Sequence, residues 1–107
     1  MTESRSKYGN KRTMVDNIEF ASKAEANRYV ELKMLQLAGE IKDLQLQVKF
    51  RIVVSNVHIC DYIADFCYTE RLSEVVEDVK GVRTREYRLK AKLMKAIWGI
   101  EIREVKA

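Results

Sequence analysis

Three strand-like runs follow one another between residues 46 and 80, and a helix-patterned segment stands on each side of them. The runs are "LQVKFRIVV" (46–54), "HICDYIADFCY" (58–68) and "EVVEDVK" (74–80), all rich in β-branched and aromatic residues. Ser55-Asn56 separates the first two, and "TERLS" (69–73) turns the chain into the third. Upstream, "SKAEANRYVELKMLQLAG" (22–39) has Ser22 as an N-cap, Glu25 three residues on, and Gly39 as a C′ residue. Downstream, "TREYRLKAKLMKAIWG" (84–99) is a second helix stopped by Gly99, and "IEIREV" (100–105) is a strictly alternating last strand. A short hairpin, "TMVDNIEF" (13–20), precedes the first helix, with Asp16-Asn17 at its turn. The order is a hairpin followed by α-β-β-β-α-β. Helices that interrupt strands predict an α/β fold, with a mixed sheet flanked by two helices.

The chain has 107 residues, enough for one domain over 1–107 with a single core, in which 1–12 form a flexible basic arm. No run approaches the ~18 apolar residues of a membrane span, so no membrane partner is expected. Met1–Asn10 is polar and does not read as a signal peptide, which favours the cytoplasm. Cys60 and Cys67 fit that setting as reduced thiols. Seven residues apart on one strand, they are expected on opposite faces. The net charge is only +4, but its distribution is uneven. The arm holds Arg5, Lys7, Lys11 and Arg12 against Glu3, and 83–95 holds Arg83, Arg85, Arg88, Lys90, Lys92 and Lys95 against Glu86. The centre of the chain is therefore acidic between two basic ends.

Acids interrupt that centre where strands should be apolar. In "SEVVEDVKG" (73–81), alternation puts Asp78 and Lys80 on one face and Val75, Glu77 and Val79 on the other. Glu77 reads as an ordinary edge charge. If 58–68 and 74–80 form a hairpin, the register that pairs Tyr68 with Val75 also sets Asp65 opposite Asp78, with Cβ atoms roughly 4.5–5.5 Å apart. Two carboxylates at ~4 Å repel by about 4 kcal/mol at an effective dielectric of ~20. A hard divalent cation such as Mg²⁺ offsets such a cost, because it takes one or two carboxylates together with waters and substrate phosphate. Lys80, beside the acids, is then placed to position or deprotonate a water or to stabilise phosphate charge. The bland reading of Asp-x-Lys is a solvated face with an incidental ion pair. Glu25 also has two readings. It completes a capping box with Ser22, yet it shares a helix face with Tyr29 and Leu32 and borders the packed side.

The whole pattern, a helix acid, an Asp on one strand and Asp-x-Lys on the next, resembles the PD-(D/E)XK nuclease superfamily. More closely, the chain resembles a family of small phage-encoded proteins within it. The stretches that carry the likeness are "KYGNK" (7–11), "SKAEA.RY.EL" (22–32), "AGEI..L.LQ" (38–47), "YIADF.Y" (62–68), "VEDVKG" (76–81) and "GIEI.EV" (99–105). They span nearly all of the sequence. The resemblance implies a restriction-endonuclease-like core and Mg²⁺-dependent hydrolysis of DNA phosphodiesters, with Mn²⁺ as a possible substitute. It implies Asp65, Asp78 and the carbonyl of Val79 as metal ligands, Lys80 as the catalytic lysine, and Glu25 as an acid that binds metal or orients water. Gln47 would sit beside the site. It also implies a phage protein at work in a bacterial cytoplasm. Val48 departs from the pattern, which favours proline there.

In the second helix Arg85, Arg88, Lys92 and Lys95 are spaced 3, 4 and 3 apart, giving a basic stripe beside an apolar one of Tyr87, Ala91, Met94 and Trp98. A charge run is usually a solvated face. Here one acid stands among the bases, and the stripe reads as a phosphate-backbone contact. Lys7, Lys11 and Arg12 of the arm add a second one. No element is built to read bases, which argues against a sequence-specific restriction enzyme and for shape selection, as on branched DNA. That makes the expected activity Holliday junction resolvase-like. Two cuts need two sites, so a homodimer is expected. The alternative is a non-catalytic DNA- or protein-binding module on a nuclease-like fold. His58, the only histidine, sits near a turn and is expected to have no catalytic role.

Overall fold

The computed structural model describes residues 12–107. Lys7 and Lys11, and with them most of the basic arm, lie outside the described residues. The hairpin is β1 (Thr13–Val15) and β2 (Ile18–Phe20). Then come α1 (Lys23–Leu37), β3 (Lys42–Val54), β4 (Val57–Glu70) and β5 (Ser73–Lys80). Helix α2 (Arg85–Leu93) runs on into one turn of π-helix (Met94–Trp98), and β6 (Arg103–Lys106) ends the chain. The main sheet has the order β3-β4-β5-β6, with β5 and β6 parallel and the other neighbours antiparallel. It is thus a mixed sheet with α2 as the crossover between its parallel strands. No helix among the described residues is long and apolar enough to cross a membrane.

Local chemistry sets the element ends. Ser22 Oγ accepts the Glu25 amide at 3.1 Å and Thr84 Oγ1 accepts the Tyr87 amide at 3.1 Å, so each helix starts on a hydroxyl cap. Gly39 and Gly99 follow the two helices with φ of 82° and 68°, a conformation that costs a residue with a Cβ. Three two-residue turns, Asp16-Asn17, Ser55-Asn56 and Arg71-Leu72, have both residues at positive φ. That geometry matches the twist of the strands they join. The first two turns use residues that tolerate it. Arg71 and Leu72 do not, so the strands on either side impose it.

Two apolar layers lie on opposite faces of the sheet. Neighbouring Val75 and Val76 point opposite ways, Val75 into a cluster with Phe20, Ala26, Tyr29, Leu32, Phe66 and Tyr68, and Val76 into one with Ile52, Tyr62, Ala64, Tyr87 and Met94. Helix α1 covers the first face and α2 the second. Simple alternation fails in the middle of the long hairpin. On β4, Tyr62 and Ala64 face α2, whereas Phe66 and Tyr68 face α1. The switch occurs at Asp65, opposite Gln47, whose φ of 51° breaks the extended backbone of β3. This corrects one expectation. Cys60 and Cys67, both free, pack against the same α2-side cluster, because the chain changes face between them. Strand bounds shift as well. β3 begins at Lys42, and the last strand pairs only from Arg103, with Ile100 and Ile102 filling the α2-side cluster on the way.

Candidate active site

The hairpin register is the one the acids require. Tyr68 faces Val75 and Phe66 faces Glu77, the last pair of the ladder, which leaves Asp65 and Asp78 as the next residues on the two strands. Past that pair, the Val79 amide donates to Asp65 Oδ2 at 2.8 Å. Val79 thus meets Asp65 through its N–H. Asp78 is 3% exposed, and its Oδ2 accepts the Tyr62 hydroxyl at 2.6 Å and lies 3.5 Å from Lys80 Nζ. The Lys80 ammonium also rests 4.2 Å from the centre of the Tyr87 ring. Tyr87 in turn donates to Glu104 at 2.8 Å, tying α2 to β6 behind the lysine.

Glu25 enters from the first turn of α1 and is 8% exposed. Its backbone takes the Ser22 cap, while its carboxylate accepts Gln47 Nε2 at 3.2 Å. The Ser22 half of the capping box forms, whereas the Glu25 carboxylate that would complete it at the Ser22 amide is given to Gln47. Gln47 reaches Glu25 from a backbone position strained into the left-handed region, a kind of strain that gathers at functional sites.

Burial shapes the electrostatics. It pushes the Asp65 carboxyl up to about 8, helped by the hydrogen bond with Asp78, while the Val79 amide pulls the other way. Burial also raises Glu25, with the Asp78 charge adding to it. Tyr62 is held well above the ordinary phenol range by burial and then by its bond to Asp78, so it stays a donor. Between about pH 4 and about 8 the folded Asp65 keeps a proton that the unfolded chain has lost. Stability of the metal-free protein should therefore fall as pH rises through that window. Asp65→Asn is expected to flatten the fall and to be the more stable protein at pH 8.5, by about 1–3 kcal/mol. Thermal melts of both proteins from pH 5 to 8.5 check this, and parallel curves would refute it.

Two clefts meet at Asp65. One, of about 280 Å³, is lined by Tyr62, Asp65, Asp78 and Lys80 with Thr84, Tyr87 and Lys90 from α2. The other, of about 290 Å³, brings Arg12 beside Glu25, Gln47 and Asp65. Arg12 also pairs with Glu19 at 3.3 Å. Among the described residues no three His, Cys, Asp or Glu side chains are arranged to hold a metal ion by themselves. Mg²⁺ asks for less, one or two carboxylates with water and phosphate oxygens, and the all-oxygen set of Asp65 and Asp78 fits it.

The structure does not bring the basic stripe to these clefts. Arg85, Arg88, Lys92 and Lys95 are exposed, and the last three line a separate groove of about 240 Å³ with Glu101 and Glu104. Lys95 pairs with Glu101 at 3.7 Å. The base that α2 does offer to the acid cleft is Lys90, 3.1 Å from Glu86. His58 bonds Asp61 at 2.7 Å near the hairpin tip, and Asp61 lines the outer part of the acid cleft.

Glu77 is a further correction. It is 0% exposed, chelated by Arg28 through Nε at 2.8 Å and Nη2 at 2.9 Å, and bonded by the Tyr68 hydroxyl at 2.5 Å. It is a buried carboxylate paired to a partly exposed guanidinium, because α1 lays Arg28 across that face of β5. Sequence reasoning also missed Tyr62 and Tyr87 at the site. The one signal for them was that a phenol in an apolar run needs a hydrogen-bond partner.

The sequence matches no curated protein. Residues 5–106 match the family described as "Protein of unknown function (DUF1064)", nearly the whole length, and the chain belongs to that family.

Proposed function

We propose that this chain is a Mg²⁺-dependent DNA endonuclease of the PD-(D/E)XK kind, with its mixed sheet and two helices forming a restriction-endonuclease-like core. The observation that carries the proposal is the convergence of Glu25, Asp65, Asp78 and Lys80, from α1, β4 and β5, on one buried cluster beside an open cleft. Buried acids this close destabilise a fold, and a role in metal-assisted hydrolysis gives them a reason to be there. Asp65, Asp78 and the Val79 carbonyl would hold the cation, which would supply Lewis-acid stabilisation of the phosphate. Glu25, held by Gln47, borders the adjoining cleft at Asp65 and would orient the attacking water from there. Lys80, kept over the Tyr87 ring, offers its ammonium to the charge that builds on the phosphate oxygens. Water oxygen bonds to phosphorus, and the bond to one ribose oxygen breaks to leave a phosphate and a hydroxyl.

The substrate we infer is branched DNA, cut in a Holliday junction resolvase-like reaction by a homodimer during phage recombination or replication. The groove with Arg88 and Lys92 lies apart from the acid cleft. That separation suits a substrate with more than one arm, whose phosphates the two surfaces would meet separately. The test is a labelled four-way junction and a matched linear duplex, each incubated with protein in Mg²⁺, in Mn²⁺ and in EDTA. Metal-dependent cleavage of the junction ahead of the duplex is expected. Equal cutting of both removes branch selectivity. Binding without cleavage in either metal replaces the enzyme with a DNA-binding module on the same fold.

A further inference from the structure

We propose that Tyr62 is the positioning residue of Asp78. It sets the rotation of that carboxylate, and so the oxygen presented to a divalent cation. The inference rests on the metal-site reading above and adds a residue to it.

Tyr62 and Tyr68 lie on the same strand, and each donates its hydroxyl to an acid on β5. They do so on opposite faces of the sheet. Tyr68 serves Glu77, whose charge Arg28 already neutralises in the α1-side layer. Tyr62 serves Asp78 from the α2-side layer, where it is 3% exposed and packed with Ala64, Val76 and Met94. Its ring is further held by Phe50 and Tyr87, with centroids 6.3 and 6.5 Å away. A ring this buried among its neighbours has little room to follow the carboxylate, so the carboxylate turns to meet the hydroxyl. Oδ2 is thereby taken by a short bond, with Lys80 Nζ 3.5 Å from the same oxygen. A partner of this kind orients a ligand and tunes its basicity without touching the metal, and losing one typically costs about 10–100-fold in metal affinity or activity.

The experiment is Mn²⁺ binding, read as the loss of the free-ion EPR signal, by wild-type protein, Tyr62→Phe and Tyr68→Phe. Removing only the hydroxyl keeps the packing of both rings. We expect Tyr62→Phe to bind Mn²⁺ about 10–100-fold more weakly at unchanged stoichiometry. Tyr68→Phe should melt at lower temperature yet bind Mn²⁺ within about twofold of wild type, because its partner faces the other layer. Equal affinity for wild type and Tyr62→Phe overturns the assignment and leaves the metal site standing. No Mn²⁺ binding by the wild-type chain overturns both. Should Tyr62→Phe fail to fold, the wild-type Tyr62 hydroxyl proton can be followed by NMR as Mg²⁺ is added. A shift of that resonance supports the assignment, and an unmoved one overturns it.

Discussion

Asp78→Ala should cleave DNA at no more than about a thousandth of the wild-type rate, the scale set by losing a group that stabilises the transition state. Asp78 is the acid on which the cluster is built. Tyr62 donates to it, Lys80 neighbours it, and its charge helps raise the Asp65 carboxyl. Alanine also leaves the buried Tyr62 hydroxyl without its acceptor, so Asp78→Asn belongs beside it as the variant that keeps shape and hydrogen bonding. Both should fail to cut. Lys80→Ala is expected to lower kcat by about 10²–10⁴-fold with little change in KM, because the ammonium acts on charge that develops only during reaction. Lys80→Arg separates two roles. A guanidinium keeps the charge but does not give up a proton, so partial recovery points to electrostatics and no recovery points to proton transfer. Single-turnover cleavage of the four-way junction reads all four variants. An Asp78→Asn protein that cuts at the wild-type rate would end the nuclease proposal.

Glu77→Ala should lower stability by about 3–5 kcal/mol, the usual result of removing one partner from a buried ion pair. The Arg28 guanidinium would keep only its exposed partner Glu31, and the Tyr68 hydroxyl would lose its acceptor. Against a total of about 5–15 kcal/mol for a domain of this kind, that change brings the protein close to unfolding. A drop in Tm of roughly 15–30 °C corresponds to it. The double variant Arg28→Met with Glu77→Leu should recover most of the loss, since an apolar pair of similar volume removes both charges together. Urea unfolding of the two proteins checks the pair. A Glu77→Ala variant within 1 kcal/mol of wild type would show that the ion pair carries little of the fold. Because Glu77 precedes Asp78 on β5, its tether also fixes the strand that carries the acid and the lysine.

The order of elements, the Ser22 cap, the glycines that end the helices and the turns at Asp16-Asn17 and Ser55-Asn56 were all legible along the chain. Each depends on residues within a few positions of one another. The Tyr68–Val75 register was legible too, because hairpin length and alternation leave few choices, and with it the meeting of Asp65 and Asp78. Three things were not legible. Glu77 reads as an edge charge until α1 is laid across the sheet, since only that packing supplies Arg28 and removes water. The two cysteines share a face because Gln47 leaves the extended conformation, a local break that answers to Glu25 and Asp65 far away in sequence. The basic stripe is plain on the helix, yet the direction it faces follows from how Tyr87, Ala91 and Met94 seat α2 on the sheet. Sequence determined what each segment would become and which acids would stand together. Tertiary structure alone decided which charges are buried and what each one meets, because burial and partnership belong to surfaces that exist only after the elements pack.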